Sequence, residues 1–202
     1  LQDPYTRVRA KPLTTDLLLG PNDILGFRNY AVPDVADIIA IGDSQTYGNN
    51  VFLGENWPSQ MQNMLAAKGA SVYSMATGGW GAVQYLDMFV NSAVFKPCVV
   101  IIAFYTGNDA LESFQMAYGV DHWAVLRPDP ALGKSDGPPI TYPAPENEQW
   151  SVTFKDGVHT VFTPTLRLGA NQDHPAVNAG YAIMAGVVNG ISDTAKHSRL
   201  QL

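Results

Sequence analysis

The chain contains a single cysteine and few charged residues, and both shortages narrow what it can be. One cysteine, Cys98, excludes an intramolecular disulfide. Charged residues make up 15% of the 202 residues, and 18 acidic against 12 basic side chains give a net charge of −6. Because nucleic-acid binding requires a basic face, we expect no nucleic-acid partner.

Long hydrophobic runs are also missing. No stretch approaches the roughly 18 consecutive apolar residues of a transmembrane helix, so we expect no membrane span. Hydrophobic residues nevertheless make up 46% of the chain, together with 18 glycines and 14 prolines. This composition predicts a packed core with many turns, and at about 100–200 residues per domain the length predicts a single domain.

Short hydrophobic runs alternate with helical patterns in the first half of the chain. Continuous apolar runs that end near a glycine are typical of strands buried on both faces. They predict strands over 35–41, 71–76 and 98–105, and the segments between them predict helices over 57–68 and 82–95. This alternation implies an α/β fold in which helices cover both faces of a parallel sheet.

The second half of the chain breaks this alternation. Prolines dominate 118–149, which predicts loops, and the segments 150–154 and 158–162 predict a β-hairpin. A long helix is predicted over 175–197. The single predicted domain therefore has four parts: an irregular lead-in over 1–34, a core over 35–117, a Pro-rich insertion with the hairpin over 118–165, and a long helix with the start of a strand over 166–202.

A loop rich in glycine and small polar residues follows each of the first three predicted strands. The three loops cover 42–48, 78–81 and 107–109. In open parallel sheets, ligands bind beyond the carboxyl ends of the strands. We therefore expect the three loops to form one site.

The residue types in these loops point to acyl transfer. Ser44, at a strand-to-helix turn, can act as a nucleophile if a base reaches it. The backbone N–H of Gly79 and the side-chain amide of Asn108 can then stabilise an oxyanion, and one such donor is typically worth about 3–4 kcal/mol in the transition state. We expect Asp43 and Asp109 to brace the loops rather than to react.

Each of the three key residues also has a purely structural interpretation. Ser44 can cap the turn or helix after its strand, and Gly79 can serve only as a turn glycine. Asn108 can be the N-cap of a short helix that runs through Phe114. The aromatic side chains of this region are expected in the core, namely Trp80, Tyr85, Phe89, Phe95 and Phe104.

The same blocks resemble those of the SGNH (GDSL-type) hydrolases, a family named after Ser, Gly, Asn and His in four sequence blocks. Gly42-Asp43-Ser44, directly after a hydrophobic run, matches the first block. Ala76-Thr77-Gly78-Gly79-Trp80-Gly81 resembles the second block, with Gly79 as its glycine, and Asn108-Asp109 matches the end of the third. The family pattern there is Gly-x-Asn-Asp, and this chain has Thr106 where the glycine is expected. The resemblance covers roughly residues 35–110.

This resemblance implies a fold, an activity and a set of site residues. The fold is a flavodoxin-like three-layer α/β/α arrangement with a parallel sheet, here carrying a β-hairpin insertion. The activity is that of an esterase, a lipase or a carbohydrate acyl-ester hydrolase that needs no metal and no organic cofactor. Ser44 would carry the acyl group, and Ser44, Gly79 and Asn108 would form the oxyanion hole. The substrate would be a small-molecule or carbohydrate ester.

The fourth block of that family is Asp-x-x-His, and it supplies the base. His174, followed by Pro175 and the long predicted helix, is the one histidine in a comparable context. Asn171 stands where the aspartate is expected, and it cannot hold an imidazole as a carboxylate does. The alternative interpretation of Asp173-His174-Pro175 is a helix start, with a cap residue followed by proline at the first helical position.

The other three histidines and the number of predicted strands also bear on where the base lies. We expect His159 on the hairpin surface, His197 in the last turn of the long helix and His122 in a loop beside Trp123. A fold of this class usually has about five strands, and only three parallel ones are predicted here. Leu200-Gln201-Leu202 is interpreted as the start of a fourth strand, so the remaining strands and the true fourth block are expected beyond Leu202.

Two other functional classes stay open. One is a domain of the same fold that transfers acetyl groups to polysaccharides, or that binds without catalysis because its base has been lost. The other is nucleotide binding, because Gly79-Trp80-Gly81-Ala82-Val83-Gln84 lies between a strand and a helix as a dinucleotide fingerprint does. That motif fails at Gln84, where the third glycine is required, and no phosphate-binding loop is present.

Overall fold

The computed structural model describes residues 2–16, 20–132, 150–155, 157–162 and 168–198. A parallel sheet lies at its centre, with the strand Ile38–Gly42 between the strands Val72–Ala76 and Val99–Ala103. The strands are β1 (Gln2–Asp3), β2 (Arg7–Val8), β3 (Ile38–Gly42), β4 (Val72–Ala76), β5 (Val99–Ala103), β6 (Trp150–Thr153) and β7 (His159–Phe162). The helices are α1 (Ser44–Tyr47), α2 (Trp57–Ala66), α3 (Ala82–Ser92), α4 (Asp109–Gly119) and α5 (Pro175–Ser198).

The strand order β4-β3-β5 confirms the predicted α/β class and the parallel sheet, and it is consistent with a flavodoxin-like layout. The chain moves one way from β3 to β4 and the other way from β4 to β5. Because such crossovers are right-handed, this reversal puts α2 and α3 on opposite faces of the sheet.

Several predicted boundaries differ from the structure. The first strand begins at Ile38 rather than at residue 35, because the side chain of Val35 is 57% exposed and only the segment from Ile38 pairs with both neighbours. The helix predicted over 82–95 ends at Ser92 and continues as a 3-10 turn over Ala93–Phe95. The loops predicted from residue 118 begin later, because α4 runs to Gly119 and a 3-10 turn covers Asp121–Leu126.

The hairpin and the long helix were both predicted correctly. β6 and β7 pair antiparallel, with Trp150 opposite Phe162 and Thr153 opposite His159. Residue 156 of the predicted turn and the strand start predicted at 200–202 lie outside the described residues. α5 spans 24 residues, in agreement with the helical spacing of its apolar side chains.

One core joins the sheet to the helices that cover it. The strand side chains Ile39, Ile41 and Met75 are buried, and they belong to the same cluster as Trp80 and Tyr85. The apolar side of α5 continues this cluster through Ile183, Val187, Ile191 and Ala195. α5 also packs closely on α4, where a second buried cluster forms.

The lead-in packs against the core, and two tryptophans and a buried arginine hold it. The indole N–H of Trp80 donates to the carbonyl of Val8 at 2.7 Å, and that of Trp123 donates to Tyr5 at 2.7 Å. The guanidinium of Arg28, only 1% exposed, donates to the carbonyls of Gly20, Tyr47, Gly48 and Val51. Arg28 therefore joins the lead-in to the loop that follows β3.

Side-chain amides cover the outer edge of β4. Gln62 Oε1 accepts the backbone N–H of Val72 at 2.6 Å. Asn29 bonds both backbone groups of Ser74, accepting its N–H at 3.1 Å and donating to its carbonyl at 2.9 Å. These three bonds take the place of a neighbouring strand on this side of the sheet.

The close contact between α4 and α5 requires a glycine, and this gives a testable prediction. A Cβ at Gly180 would lie 1.9 Å from the carbonyl oxygen of Ala110, so Gly180→Ala must push the two helices apart. We expect a loss of about 1–3 kcal/mol in the free energy of unfolding, measured by urea denaturation. Gly186→Ala, in the same helix with no atom within 4 Å of the new Cβ, is the control and should stabilise by up to about 1 kcal/mol. Equal effects of the two substitutions would contradict the close packing.

Candidate active site at the carboxyl ends of the parallel strands

The register of the sheet brings the three predicted loops to one edge. Gly42, the last residue of β3, lies opposite Ala76 at the end of β4 and opposite Ala103 at the end of β5. All three strands are parallel, so the segments that follow them leave the sheet on the same side. The loops that carry Ser44, Gly79 and Asn108 therefore start side by side.

Ser44 is the first residue of the short helix α1, and Asp43 is its N-cap. The Asp43 carboxylate accepts the backbone N–H of Gln45 at 2.8 Å and the hydroxyl of Ser44 at 3.3 Å. Asp43 is fully buried, and burial raises the pKa of its carboxyl group above the ordinary value. Its bonds brace the loop, and they also fix the direction of the Ser44 hydroxyl.

The glycines after β4 approach Ser44 closely. A Cβ built on Gly78 would lie 3.7 Å from the Cβ of Ser44, which shows that the two loops are in contact. Gly79 has a φ of +77°, a left-handed conformation that strongly favours glycine. Gly79 also lines a cavity of about 260 Å³, whose other walls come from the lead-in, from α3 and from α4.

Asn108 is the N-cap of α4, but its side chain makes no capping bond to the helix backbone. Its Oδ1 atom is buried and has no hydrogen-bond partner. Glu112 lies one turn further along α4, and its backbone N–H donates to the carbonyl of Asn108 at 2.9 Å. Glu112 lines the same cavity as Gly79, and burial raises the pKa of its carboxyl group.

Asp109 holds the loop after β5 in place through two hydrogen bonds. Its carboxylate accepts the backbone N–H of Tyr105 at 2.7 Å and the hydroxyl of Tyr85 at 3.0 Å. Asp109 is fully buried, and burial, with a smaller contribution from the charge of Asp43, raises its pKa to about 8. These bonds are structural, in keeping with the bracing role expected for both aspartates.

His174 lies just before α5, on a segment that contacts the loop of Asn108. A Cβ at Gly169 would meet the carbonyl oxygen of Gly107 at 2.2 Å, so the chain before His174 packs directly on that loop. The Nδ1 atom of His174 accepts the backbone N–H of Ala176 at 3.2 Å. In the neutral imidazole this places the proton on Nε2, so the ring caps the helix and offers no acceptor at Nε2 in this arrangement.

The residue in the place of the expected aspartate makes a turn of its own. Asn171 is exposed, and its Oδ1 accepts the backbone N–H of Asp173 at 3.2 Å. The contacts described above thus bring Ser44, the Gly78-Gly79 turn and Asn108 to one edge, and none of them joins His174 to Ser44.

The remaining histidines lie elsewhere in the fold. His159 is exposed on β7 and lies 3.1 Å from the hydroxyl of Thr153, in agreement with the expected hairpin surface position. His122 is exposed and packs its ring edge-on against Tyr5 and Trp123. His197 falls in the last turn of α5, as expected.

Two residues near this edge, Glu112 and Tyr85, were not predicted from the sequence to belong to the site. The sequence did contain an indication for Glu112, because it follows Asn108 by four residues, and this spacing puts both residues on one side of a helix. Tyr85 was assigned only to the core, and its hydroxyl bond to Asp109 depends on the packing of α3 against α4, which no local pattern reveals.

Comparisons with protein-family models, with curated proteins and with solved structures found no match. Within the part of the chain that the structure describes, no group of His, Cys, Asp and Glu is arranged to hold a metal ion. The same part contains no helix with the length and hydrophobicity needed to cross a membrane.

The raised pKa of Asp109 predicts how stability changes with pH. The folded state keeps the carboxyl protonated up to about pH 8, whereas the ordinary pKa of an unperturbed Asp is 3.8. Between these values the folded state binds more protons, so stability falls as pH rises, by up to about 1.4 kcal/mol per pH unit. Asp109→Asn keeps the shape and an acceptor for Tyr85, so it should flatten this slope and stabilise the protein at pH 7.

Urea denaturation between pH 4 and pH 8 measures this slope. Asp34→Asn, at an exposed position, is the matched control and should leave the slope unchanged. A wild-type slope that survives in Asp109→Asn would show that Asp109 does not cause it.

Proposed function

We propose that this chain is a serine ester hydrolase of the SGNH type, with Ser44 as the nucleophile. The observation that supports this most is the common register of β3, β4 and β5, which brings the serine, the left-handed glycine and the half-buried asparagine to one edge. The sequence resemblance assigns chemical roles to the same three residues. Sequence blocks and sheet register are separate observations, and they converge on one place.

Unpaired polar atoms support the same location. Among the described residues, six buried side-chain oxygen atoms have no hydrogen-bond partner, and four of them belong to residues of the three loops or adjoin them. They are Thr46 Oγ1, Thr77 Oγ1, Asn108 Oδ1 and Asp109 Oδ1. Unpaired buried groups cost stability, and in native proteins they are expected where function requires them.

The proposed reaction proceeds through an acyl-enzyme. Ser44 Oγ attacks the ester carbonyl and gives its proton to a base, and the carbonyl oxygen becomes an oxyanion. The backbone N–H groups of Ser44 and Gly79 and the amide of Asn108 stabilise that charge. The ester C–O bond then breaks, the alcohol leaves with the proton, and water attacks the acyl-enzyme to release the acid and restore Ser44.

His174 is the proposed base, and it requires a change of hydrogen bonding. Nε2 can accept the Ser44 proton only if the ring releases the Ala176 N–H and carries its own proton on Nδ1. The cap bond of 3.2 Å therefore favours a second candidate, an SGNH-like domain that binds an ester or a carbohydrate without cleaving it. Acyl transfer to a sugar instead of water would use the same serine and stays an alternative.

A serine-directed fluorophosphonate tests the nucleophile. Wild type should be labelled and should hydrolyse p-nitrophenyl acetate, and Ser44→Ala should lose both, because no other hydroxyl takes the position of Oγ. Ser192→Ala, on α5, is the control and should behave as wild type. Absence of labelling and of hydrolysis in wild type would refute the hydrolase proposal and leave the binding domain.

Removal of the histidine side chain tests the base. If His174 takes the proton of Ser44, His174→Ala should lower kcat by about 10²–10⁴, the range typical of a lost general base. Unchanged ester turnover would limit His174 to its role as a helix cap. His159→Ala, on the hairpin surface, provides the matched control and should retain full activity.

A further inference from the structure

We infer that Arg28 is a positioning residue for Ser44, because its guanidinium holds the carbonyl end of the one-turn helix α1, which begins at Ser44. The inference rests on the proposed function for its chemistry, since the exact place of Ser44 matters most if its hydroxyl is the nucleophile. The hydrogen bonds of Arg28 are observed independently of that function.

The need for such a residue comes from the shortness of α1. It has only four residues, Ser44–Tyr47, and isolated helices shorter than about 12–15 residues are marginal in water. Asp43 caps its first turn by accepting the backbone N–H of Gln45 at 2.8 Å. The last carbonyls of a helix have no partner inside it, so donors from outside α1 must hold its other end.

Arg28 supplies donors at that other end. Its Nη1 atom donates to the carbonyl of Tyr47 at 3.2 Å and to the carbonyl of Gly48, and its Nη2 atom donates to the carbonyl of Val51 at 2.7 Å. The guanidinium also lies over the ring of Tyr47, 5.2 Å from the ring centre. Arg28 is buried, and in such surroundings a hydrogen bond is stronger than in water.

Two peptide groups join Arg28 to Ser44. The carbonyl of Ser44 accepts the backbone N–H of Gly48 at 2.9 Å and that of Asn49 at 3.0 Å. These N–H groups belong to the same peptide groups whose carbonyls, those of Tyr47 and Gly48, accept the bonds from Arg28. Because a peptide group is planar and rigid, fixing its oxygen also fixes the direction of its N–H. Arg28 therefore holds both donors that Ser44 receives.

The position of Arg28 is itself fixed on the opposite side. Its Nε atom donates to the carbonyl of Gly20 at 3.2 Å, so the lead-in holds the guanidinium against the turn. Ser44 in turn lies close to the glycines after β4, since a Cβ on Gly78 would be 3.7 Å from the Cβ of Ser44. A shift of α1 would thus move Oγ relative to the proposed oxyanion donor on Gly79. A misplacement of about 1 Å can cost about 10²-fold in rate.

Amide hydrogen exchange, followed by NMR, tests the contact without reference to any activity. In wild type the amides of Gly48 and Asn49 should be protected as well as that of Ile41 in the buried strand β3. Arg28→Lys keeps the charge but has a single nitrogen, which cannot serve three carbonyls at once. The amides of Gly48 and Asn49 should then exchange about tenfold or more faster, while that of Ile41 keeps its protection.

Ester hydrolysis tests the consequence for Ser44. In Arg28→Lys, kcat for p-nitrophenyl acetate per site labelled by the fluorophosphonate should fall about tenfold or more, while KM changes less than about twofold. Counting labelled sites removes any loss that comes only from unfolded molecules. Arg127→Lys is the matched control, because Arg127 also donates to a carbonyl, that of Ala117 at 2.7 Å, and also lies over a tyrosine ring. It should keep the kcat of wild type.

The outcomes separate this inference from the proposed function. If Arg28→Lys loosens only the Gly48 and Asn49 amides and wild type has no esterase activity, the positioning contact stands and the hydrolase proposal fails. A purely structural role would lower the number of labelled sites, or the protection of Ile41, and leave kcat per labelled site unchanged; this would overturn the inference. Rapid exchange of Gly48 and Asn49 in wild type would overturn it as well, even if Arg28→Lys does not fold.

Discussion

The pairing of β3 with both of its neighbours in one register is the constraint on which the rest of the structure depends. Gly42 ends β3 opposite Ala76 and Ala103, and Ser44, Gly79 and Asn108 each follow one of these three positions within a few residues. A slip of one residue would reverse the inward and outward faces of a strand and expose its buried side chains. The hydrophobic core and the site are thus fixed by the same hydrogen bonds.

The site is built at an electrostatic cost. Asp43 and Asp109 are both fully buried, and burial raises the pKa of each carboxyl group, with a further contribution from the charge of Asp43 to the raised pKa of Asp109. Their carboxyl groups accept bonds from Gln45, Ser44, Tyr105 and Tyr85, which hold two loops in place. The loops held in this way carry Ser44, the proposed nucleophile, and Asn108, a proposed oxyanion donor. The stability lost by burying the two carboxyl groups is offset by the apolar core beneath the loops.

Much of the fold could be predicted from the sequence, since its signals are local. Apolar runs such as Ile38–Gly42 and the spacing of α5 depend on neighbours along the chain, and they predicted strands and helix correctly. The site residues Ser44, Gly79 and Asn108 were predicted to meet because parallel strands end at one edge. The bonds of Arg28, the Tyr85–Asp109 contact and the cap made by His174 were not predicted, because each depends on the packing of distant segments.

The amides of Asn29 and Gln62 along β4 have a consequence for behaviour in a crowded solution. An exposed strand edge can recruit a strand from another molecule and start aggregation. Here an incoming chain would have to displace the bonds to Val72 and Ser74 before it could form its own, and so it would gain little. Two ordinary polar side chains thereby give this side of the sheet protection against self-association.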